Sequence, residues 1–324
     1  MIEFKDYDIL FPELVYDIVD YFRAGNDNKQ PKEKSVWDYC QNSRFRGELP
    51  KNEPIQPSTV YEICENLVKK KFLNRLRDGG MLGMNANYIY LPDNTELFVM
   101  KQPEFVFRLN CLAYGFRFIY NAYRRYVMPI VVTKNGDVSM GTCFRCHEGI
   151  VTAKHCLEAD SVQIIGYKAE KLNQCPVYIS EDKDIDLAYI DLGESCPLVC
   201  ETASVLDEVL VVGYPRIPQF FDFCAVERAA ISSIPTKGAV ASLADQYISR
   251  NVGKLMLVTA RIRGGNSGGP IINSNGAIVG VAFSEATAEG DYDEMGYGIA
   301  YPIGVFFQML SCKQCMKVNF MDKM

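Results

Sequence analysis

Apolar residues recur at three- and four-residue spacing near the start of the chain and alternate with polar ones over most of the remainder. Across residues 11–22 the positions Leu14, Val15, Ile18, Val19 and Phe22 share one helical face, which predicts an amphipathic helix ended by Gly25-Asn26-Asp27-Asn28. A second helix is predicted around 35–42, in a loosely patterned region bracketed by Pro31 and Pro50. The clearest lies at 58–74: Ser58 can cap it, Glu62 sits in its first turns, and Val60, Ile63, Leu67 and Phe72 form the buried side. Residues 84–90 and 95–101 alternate about Pro92-Asp93-Asn94 and predict a hairpin. Residues 102–126 are rich in aromatics and arginine without a clean period, and no element is assigned there.

From residue 127 the period is two. Strands are expected at 127–132 and 138–144 around the turn Lys134-Asn135-Gly136-Asp137, then at 161–166, 176–180, 185–192, 206–213, 225–234, 254–262 and 270–284, the last with a turn at Ser274-Asn275-Gly276. Many short strands divided by turns predict an all-β unit, followed by a helix at 301–314. The chain is therefore read as multidomain: a mainly helical module at 1–104, a connecting segment at 105–126, and an all-β domain with a C-terminal helix at 127–324.

With 324 residues there is material for two cores. A formal charge of -6 argues against an overall basic nucleic-acid binder. The charged start and the lack of any long apolar run predict a soluble cytoplasmic protein with no membrane association. In that compartment the twelve cysteines are expected to be reduced. Cys143 with Cys146, and Cys312 with Cys315, have zinc-ligand spacing. Small buried thiols are the favoured reading, because Cys143 falls in an expected strand, so no metal is expected.

The candidate chemistry lies where two expected strands meet at Arg263-Gly264-Gly265-Asn266-Ser267-Gly268-Gly269-Pro270. Glycines on both sides allow a tight bend from which the Ser267 hydroxyl projects beside backbone N–H groups. A base must come from one of two histidines, His147 or His155, the second in Thr152-Ala153-Lys154-His155-Cys156. Asp184 and Asp186 precede the apolar run Leu187-Ala188-Tyr189-Ile190 and are the candidate orienting carboxylates.

The T-A-K-H-C, D-L-A and G-N-S-G-G-P segments, in that order, resemble the trypsin-like serine peptidases. The compact spacing and residues 207–215 are most similar to the HtrA-like branch. The resemblance runs from about Tyr126 to Leu310 and implies a double β-barrel with its site in the cleft; unlike in many HtrA-type proteins, no PDZ domain is expected after the terminal helix. It also implies catalytic His155, Asp186 and Ser267 and an oxyanion hole from the N–H groups of Gly265 and Ser267. Register against Leu187-Ala188 favours Asp186 over Asp184. Arg261 and Ile262 stand where the family places the floor and wall of the primary pocket, and Tyr297, Gly298, Ile299 and Ala300 where a strand pairs with the substrate backbone. Arg261 turned inward would select an acidic residue; Ile262, Ile299 and Ala300 favour an aliphatic one. Many secreted relatives bridge the positions of Cys143 and Cys156. No cofactor is expected, and the partner is a protein or peptide substrate.

The front module resembles a winged-helix domain in its order of elements, as an α+β unit. Lys69, Lys70, Lys71, Arg75 and Arg77 then form a candidate DNA-contacting cluster, although cations near a helix C-terminus also suit the macrodipole and solvent. Two alternatives stand beside a peptidase with a regulatory or targeting module: a DNA-binding regulator whose peptidase half cleaves a partner or itself, and an inactive peptidase fold used as a scaffold.

Overall fold

The computed structural model describes residues 4, 7–25, 34–45, 55–80, 83–93, 99–100, 102–215, 233–247, 250–285, 296–311 and 314–322, with backbone alone at 244–247, 250–254 and 284–285. It divides into two compact units, Met1–Ile119 and Tyr120–Met324. Among the described residues no helix is long and apolar enough to cross a membrane.

The first unit packs helices Leu14–Phe22, Val36–Asn42, Pro57–Lys69 and Pro103–Tyr114 around one apolar core. The face expected from the sequence, Leu14, Val15, Ile18, Val19 and Phe22, is buried. Ser35 caps the second of these helices, its hydroxyl accepting from Asp38 N at 3.0 Å.

Two expectations need correction. The helix expected at 58–74 starts at Pro57, with Gln56 and not Ser58 at its cap, and stops at Lys69. There Lys71 takes a left-handed φ of 58°, and Phe72 N returns to Leu67 O at 2.8 Å. That reversal frees Asn74–Arg77 to form strand β1, which pairs antiparallel with β2, Asn87–Ile89. β2 thus pairs with the segment before it; of the partner expected at 95–101, residues 95–98 and 101 lie outside the described residues, and Val99 and Met100 are not in a strand. The unassigned stretch after residue 102 forms helices Pro103–Tyr114 and Phe116–Tyr123, parted by Gly115 at φ 68°.

The second unit carries two β systems. A seven-stranded sheet contains β3 (Val127–Lys134), β4 (Asp137–Cys146), β5 (Gly149–Thr152), β6 (Ser161–Ile164), β7 (Val177–Ile179), β8 (Ala188–Asp191) and β15 (Cys315–Met316), in the order β15-β7-β8-β5-β4-β3-β6. The β3–β4 turn is the expected Asn-Gly pair, with Asn135 at φ 53° and Gly136 at 85°. The other system is a closed barrel of β9 (Glu208–Gly213), β10 (Ile234–Tyr247), β11 (Arg250–Val258), β12 (Pro270–Asn273), β13 (Ile278–Glu285) and β14 (Gly298–Pro302). Of the strand expected at 225–234, residues 225–232 lie outside the described residues, and β10 begins at Ile234. The terminal helix is shorter than expected, Ile303–Leu310. Each system has its own apolar cluster.

The tail after that helix contributes to the sheet at both edges. β15 pairs with β7, and a few residues later Val162 N of β6 donates to Asn319 O at 3.0 Å while Val162 O receives Met321 N at 2.9 Å. Sheet edges with unpaired N–H and C=O groups are thereby covered. Phe320, 4% exposed, inserts into the core of the sheet. Phe320→Ala is expected to cost about 3 kcal/mol through lost burial and a residual cavity. Thermal unfolding should report it as a melting point lower by roughly 6–12 °C.

Candidate active site

The residues brought together sit on the two β systems of the second unit. His155 lies in a short 3-10 turn, Lys154–Cys156, directly after β5, and Asp186 lies just before β8, the neighbour of β5 in the sheet. The Asp186 carboxylate accepts twice from the same residue: from His155 N at 2.8 Å and, through its other oxygen, from His155 Nδ1 at 2.5 Å. The turn is also pinned by Lys154 N donating to Asp186 O at 3.3 Å. Asp184 makes no such contact with the ring; its carbonyl accepts from Tyr301 Oη at 3.1 Å.

The hydrogen bond to Asp186, assisted by the Cys156 thiol, pushes the His155 imidazole up to about 10, against a smaller desolvation effect. The ring remains 53% exposed while the carboxylate behind it is only 19% exposed. The imidazole is therefore fixed at Nδ1 and leaves Nε2 on its open side.

Ser267 sits on the barrel, just before β12. Gly265 takes φ 99° and Gly268 φ 83°, torsions that a side chain resists. Gly268 is also closed in: a Cβ there would lie 2.3 Å from Thr142 O and 2.7 Å from Ala153 N. The serine loop thus rests on the strand ends that lead to His155. The hydroxyl itself donates to Phe283 O at 2.7 Å. Among the described residues, the backbone N–H groups of Gly265 and Ser267 have no intramolecular backbone acceptor.

Two residues that sequence reasoning missed hold these parts. Thr142 on β4 donates to the serine loop twice: its N–H to Ser267 O at 3.0 Å and its hydroxyl to Gly265 O at 2.6 Å. Tyr301 on β14 receives Asp186 N at 3.1 Å and donates to Asp184 O, tying the carboxylate's loop to the barrel. Neither position is marked in the sequence, because each acts across a long chain separation through an ordinary side chain. Removing the Tyr301 hydroxyl forfeits hydrogen bonds worth about 1–1.5 kcal/mol each. Tyr301→Phe is expected to lower kcat about tenfold with KM little changed, as read in steady-state peptide hydrolysis by a folded variant.

The other expected residues are dispersed. Arg261 is exposed, and Ile262 is buried in the barrel core beneath Gly298, where a Cβ would come 2.5 Å from Ile262 Cγ1. Ala300 is enclosed in the same core, between Met256 and Ala282 in the strand register, whereas Tyr297 and Ile299 keep exposed surface. His147 is exposed at the β4–β5 turn, at the opposite end of β5 from His155. Cys143 and Cys146 diverge: one thiol meets Met128 O at 3.6 Å in the sheet core, the other faces Cys200. Cys156 shares the core of Cys143, and both are free thiols. Cys312 lies outside the described residues. Among the described residues no group of three or more His, Cys, Asp or Glu side chains is arranged to hold a metal ion. In the first unit, Lys69, Lys70, Lys71, Arg75 and Arg77 are all exposed; Arg75 is paired with Glu65 at 2.5 Å and Asp78 at 2.8 Å, and Arg77 donates to Asn85 O.

Residues 141–281 match the family model described as "Trypsin-like peptidase domain". Protease Do-like 2, chloroplastic, of Arabidopsis thaliana is 25% identical over 210 residues, a match covering 56% of this chain and 33% of that protein. Magnetosome formation protease MamE of Paramagnetospirillum magneticum is 28% identical over 178 residues, covering 50% of this chain and 22% of that one. The chain thus spans a third or less of these curated relatives. Among solved structures, the active form of the Rv3671c protease from M. tuberculosis aligns with a TM-score of 0.44 at 19% identity, covering 64% of this chain and 86% of that one. The family match takes in β5 with the His155 turn, the Asp186 loop and the glycine-flanked Ser267, so over that span the second unit is similar to trypsin-like peptidase domains, and the chain is similar to a Do-like protease as well.

Proposed function

We propose that the protein is a serine endopeptidase that hydrolyses peptide bonds of a protein or peptide substrate through His155, Asp186 and Ser267. The observation that carries this reading is the doubly bonded Asp186–His155 pair on a turn whose preceding residue, Ala153, abuts Gly268 of the serine loop. Once the Ser267 hydroxyl rotates off Phe283 O, the open side of the imidazole takes its proton as the oxygen attacks the carbonyl. The same nitrogen returns that proton to the leaving amine. Asp186 keeps the ring in the tautomer with the proton on Nδ1 and steadies its positive charge.

The N–H groups of Gly265 and Ser267 would receive the negative carbonyl oxygen, each worth about 3–4 kcal/mol in the transition state. Of the segment expected to pair with the substrate backbone, only Tyr297, just before β14, is left for a substrate strand to reach, because Gly298, Ile299 and Ala300 already lie between β11 and β13. Because Arg261 is exposed, an aliphatic residue before the cut is favoured over an acidic one. The decisive experiment is reaction of the intact protein with a fluorophosphonate followed by peptide mapping. The adduct is expected on Ser267, and an adduct on any other residue would overturn the assignment.

The first unit has its own core and holds none of these groups, which supports a regulatory or targeting module. Helices Leu14–Phe22, Val36–Asn42 and Pro57–Lys69 followed by the β1–β2 pair support the winged-helix reading. DNA contact rests on exposed Lys69, Lys70, Lys71 and Arg77 alone, since Arg75 is already paired with carboxylates.

A further inference from the structure

We infer that Cys146 and Cys200 form a reversible dithiol–disulfide pair, oxidised by low-molecular-weight disulfides, whose closed form staples the seven-stranded sheet to the neighbouring barrel. Their sulfurs lie 3.6 Å apart although the residues are 54 positions apart in the chain. A bond requires closure to about 2.05 Å, within reach of small χ1 adjustments.

The two thiols are placed unequally. Cys146 ends β4 and is fully buried, whereas Cys200 retains solvent access. The two sulfurs are within hydrogen-bonding distance, with either able to donate, and their contact holds the Cys200 thiol below its ordinary value and pushes Cys146 up. The accessible sulfur is thus the better nucleophile. The third nearby thiol, Cys196, is pushed up by burial, which the Arg145 guanidinium only partly opposes.

These features order the exchange. Cys200 thiolate attacks one sulfur of a disulfide RSSR, forming a mixed disulfide and releasing RS⁻. Cys146 then loses its proton to solvent and attacks the Cys200 sulfur, expelling the second RS⁻. The two thiolates take up the two protons, so two protein thiols and RSSR become one protein disulfide and two RSH. Excess thiol reverses both steps.

The consequence lies in what Cys200 is attached to. It bridges to Ile278 of β13; Ile278 N donates to Val199 O at 2.8 Å and Glu201 N to Ile278 O at 3.0 Å. The Glu201 carboxylate also accepts from Asn273 Nδ2 at 3.0 Å. A Cys146–Cys200 bond would therefore join the end of β4 to a segment already fixed on the barrel. The covalent ring it closes contains both His155 and Asp186. Cross-linking such a ring limits the freedom of the unfolded chain.

The test equilibrates the intact protein with oxidised and reduced glutathione at graded ratios, then alkylates, maps the peptides and measures thermal unfolding. Under oxidising ratios a linked peptide joining Cys146 to Cys200 is expected, with a melting point higher by roughly 5 °C or more, both reversed by reduced glutathione. Cys200→Ser, a replacement at a partly exposed site, should abolish link and shift, while Cys196→Ser should keep both. Full alkylation at every ratio, a link through Cys196 instead, a link without a stability shift, or a shift that survives in Cys200→Ser would each overturn the inference. The readouts do not depend on peptidase activity.

Discussion

Ser267→Ala is expected to abolish fluorophosphonate labelling and to lower kcat for peptide hydrolysis by roughly four to six orders of magnitude. The substitution removes one oxygen from a half-buried position and leaves the torsions of Gly265 and Gly268 untouched, so the fold should be retained. Its only described hydrogen bond goes to Phe283 O, an acceptor that water can serve in the variant. Loss of labelling with unchanged thermal unfolding would then report the nucleophile itself. Labelling that persists would mean a different hydroxyl reacts. An intact protein that neither labels nor cleaves would favour the scaffold reading, in which the same geometry serves binding alone.

Asp186→Asn should reduce kcat by about four orders of magnitude, because an amide cannot hold the imidazole in the required tautomer or steady its charge. It should also move the pH dependence. Attack needs the neutral ring, so activity rises as His155 loses its proton, and Asp186 places that step up at about 10. Activity of the free enzyme is therefore expected to climb well above pH 7. In the asparagine variant the main cause of the upward shift is gone, and the ascending limb should fall toward the ordinary histidine range near 6.5. The linkage to stability has the matching sign. A raised folded value stabilises the protein fully below the unfolded value and loses that contribution as pH rises through about 10. The ring is half exposed, so this part of the effect will be modest and sensitive to salt. A pH–rate profile identical in the two proteins would show that Asp186 does not govern the imidazole.

Two features of the sequence carry this protein's identity. Strong local patterning marks most elements: the helical face Leu14 to Phe22, the Asn135-Gly136 turn and the strand alternation all act within a few residues. The candidate catalytic set is legible because each member is embedded in a local motif whose order along the chain is characteristic. Local rules fail where distant packing chooses between alternatives. Helix propensity through 70–73 yields to the left-handed Lys71, and β2 pairs with the segment before it. Likewise the alternation of β14 cannot say which side faces the core, and the barrel closes over Ile262 and Ala300.

The supports of the site belong to the tertiary structure alone. Thr142 and Tyr301 are an ordinary strand threonine and an ordinary strand tyrosine until the chain brings them across more than a hundred residues to the serine loop and the aspartate loop. The tail that covers both sheet edges and the approach of Cys146 to Cys200 are invisible to periodicity for the same reason. A hydrophobic period encodes which face a residue turns inward. Which distant partner it meets there is decided by the closing of backbone hydrogen bonds and the filling of a shared core, and both exist only once the whole unit has folded.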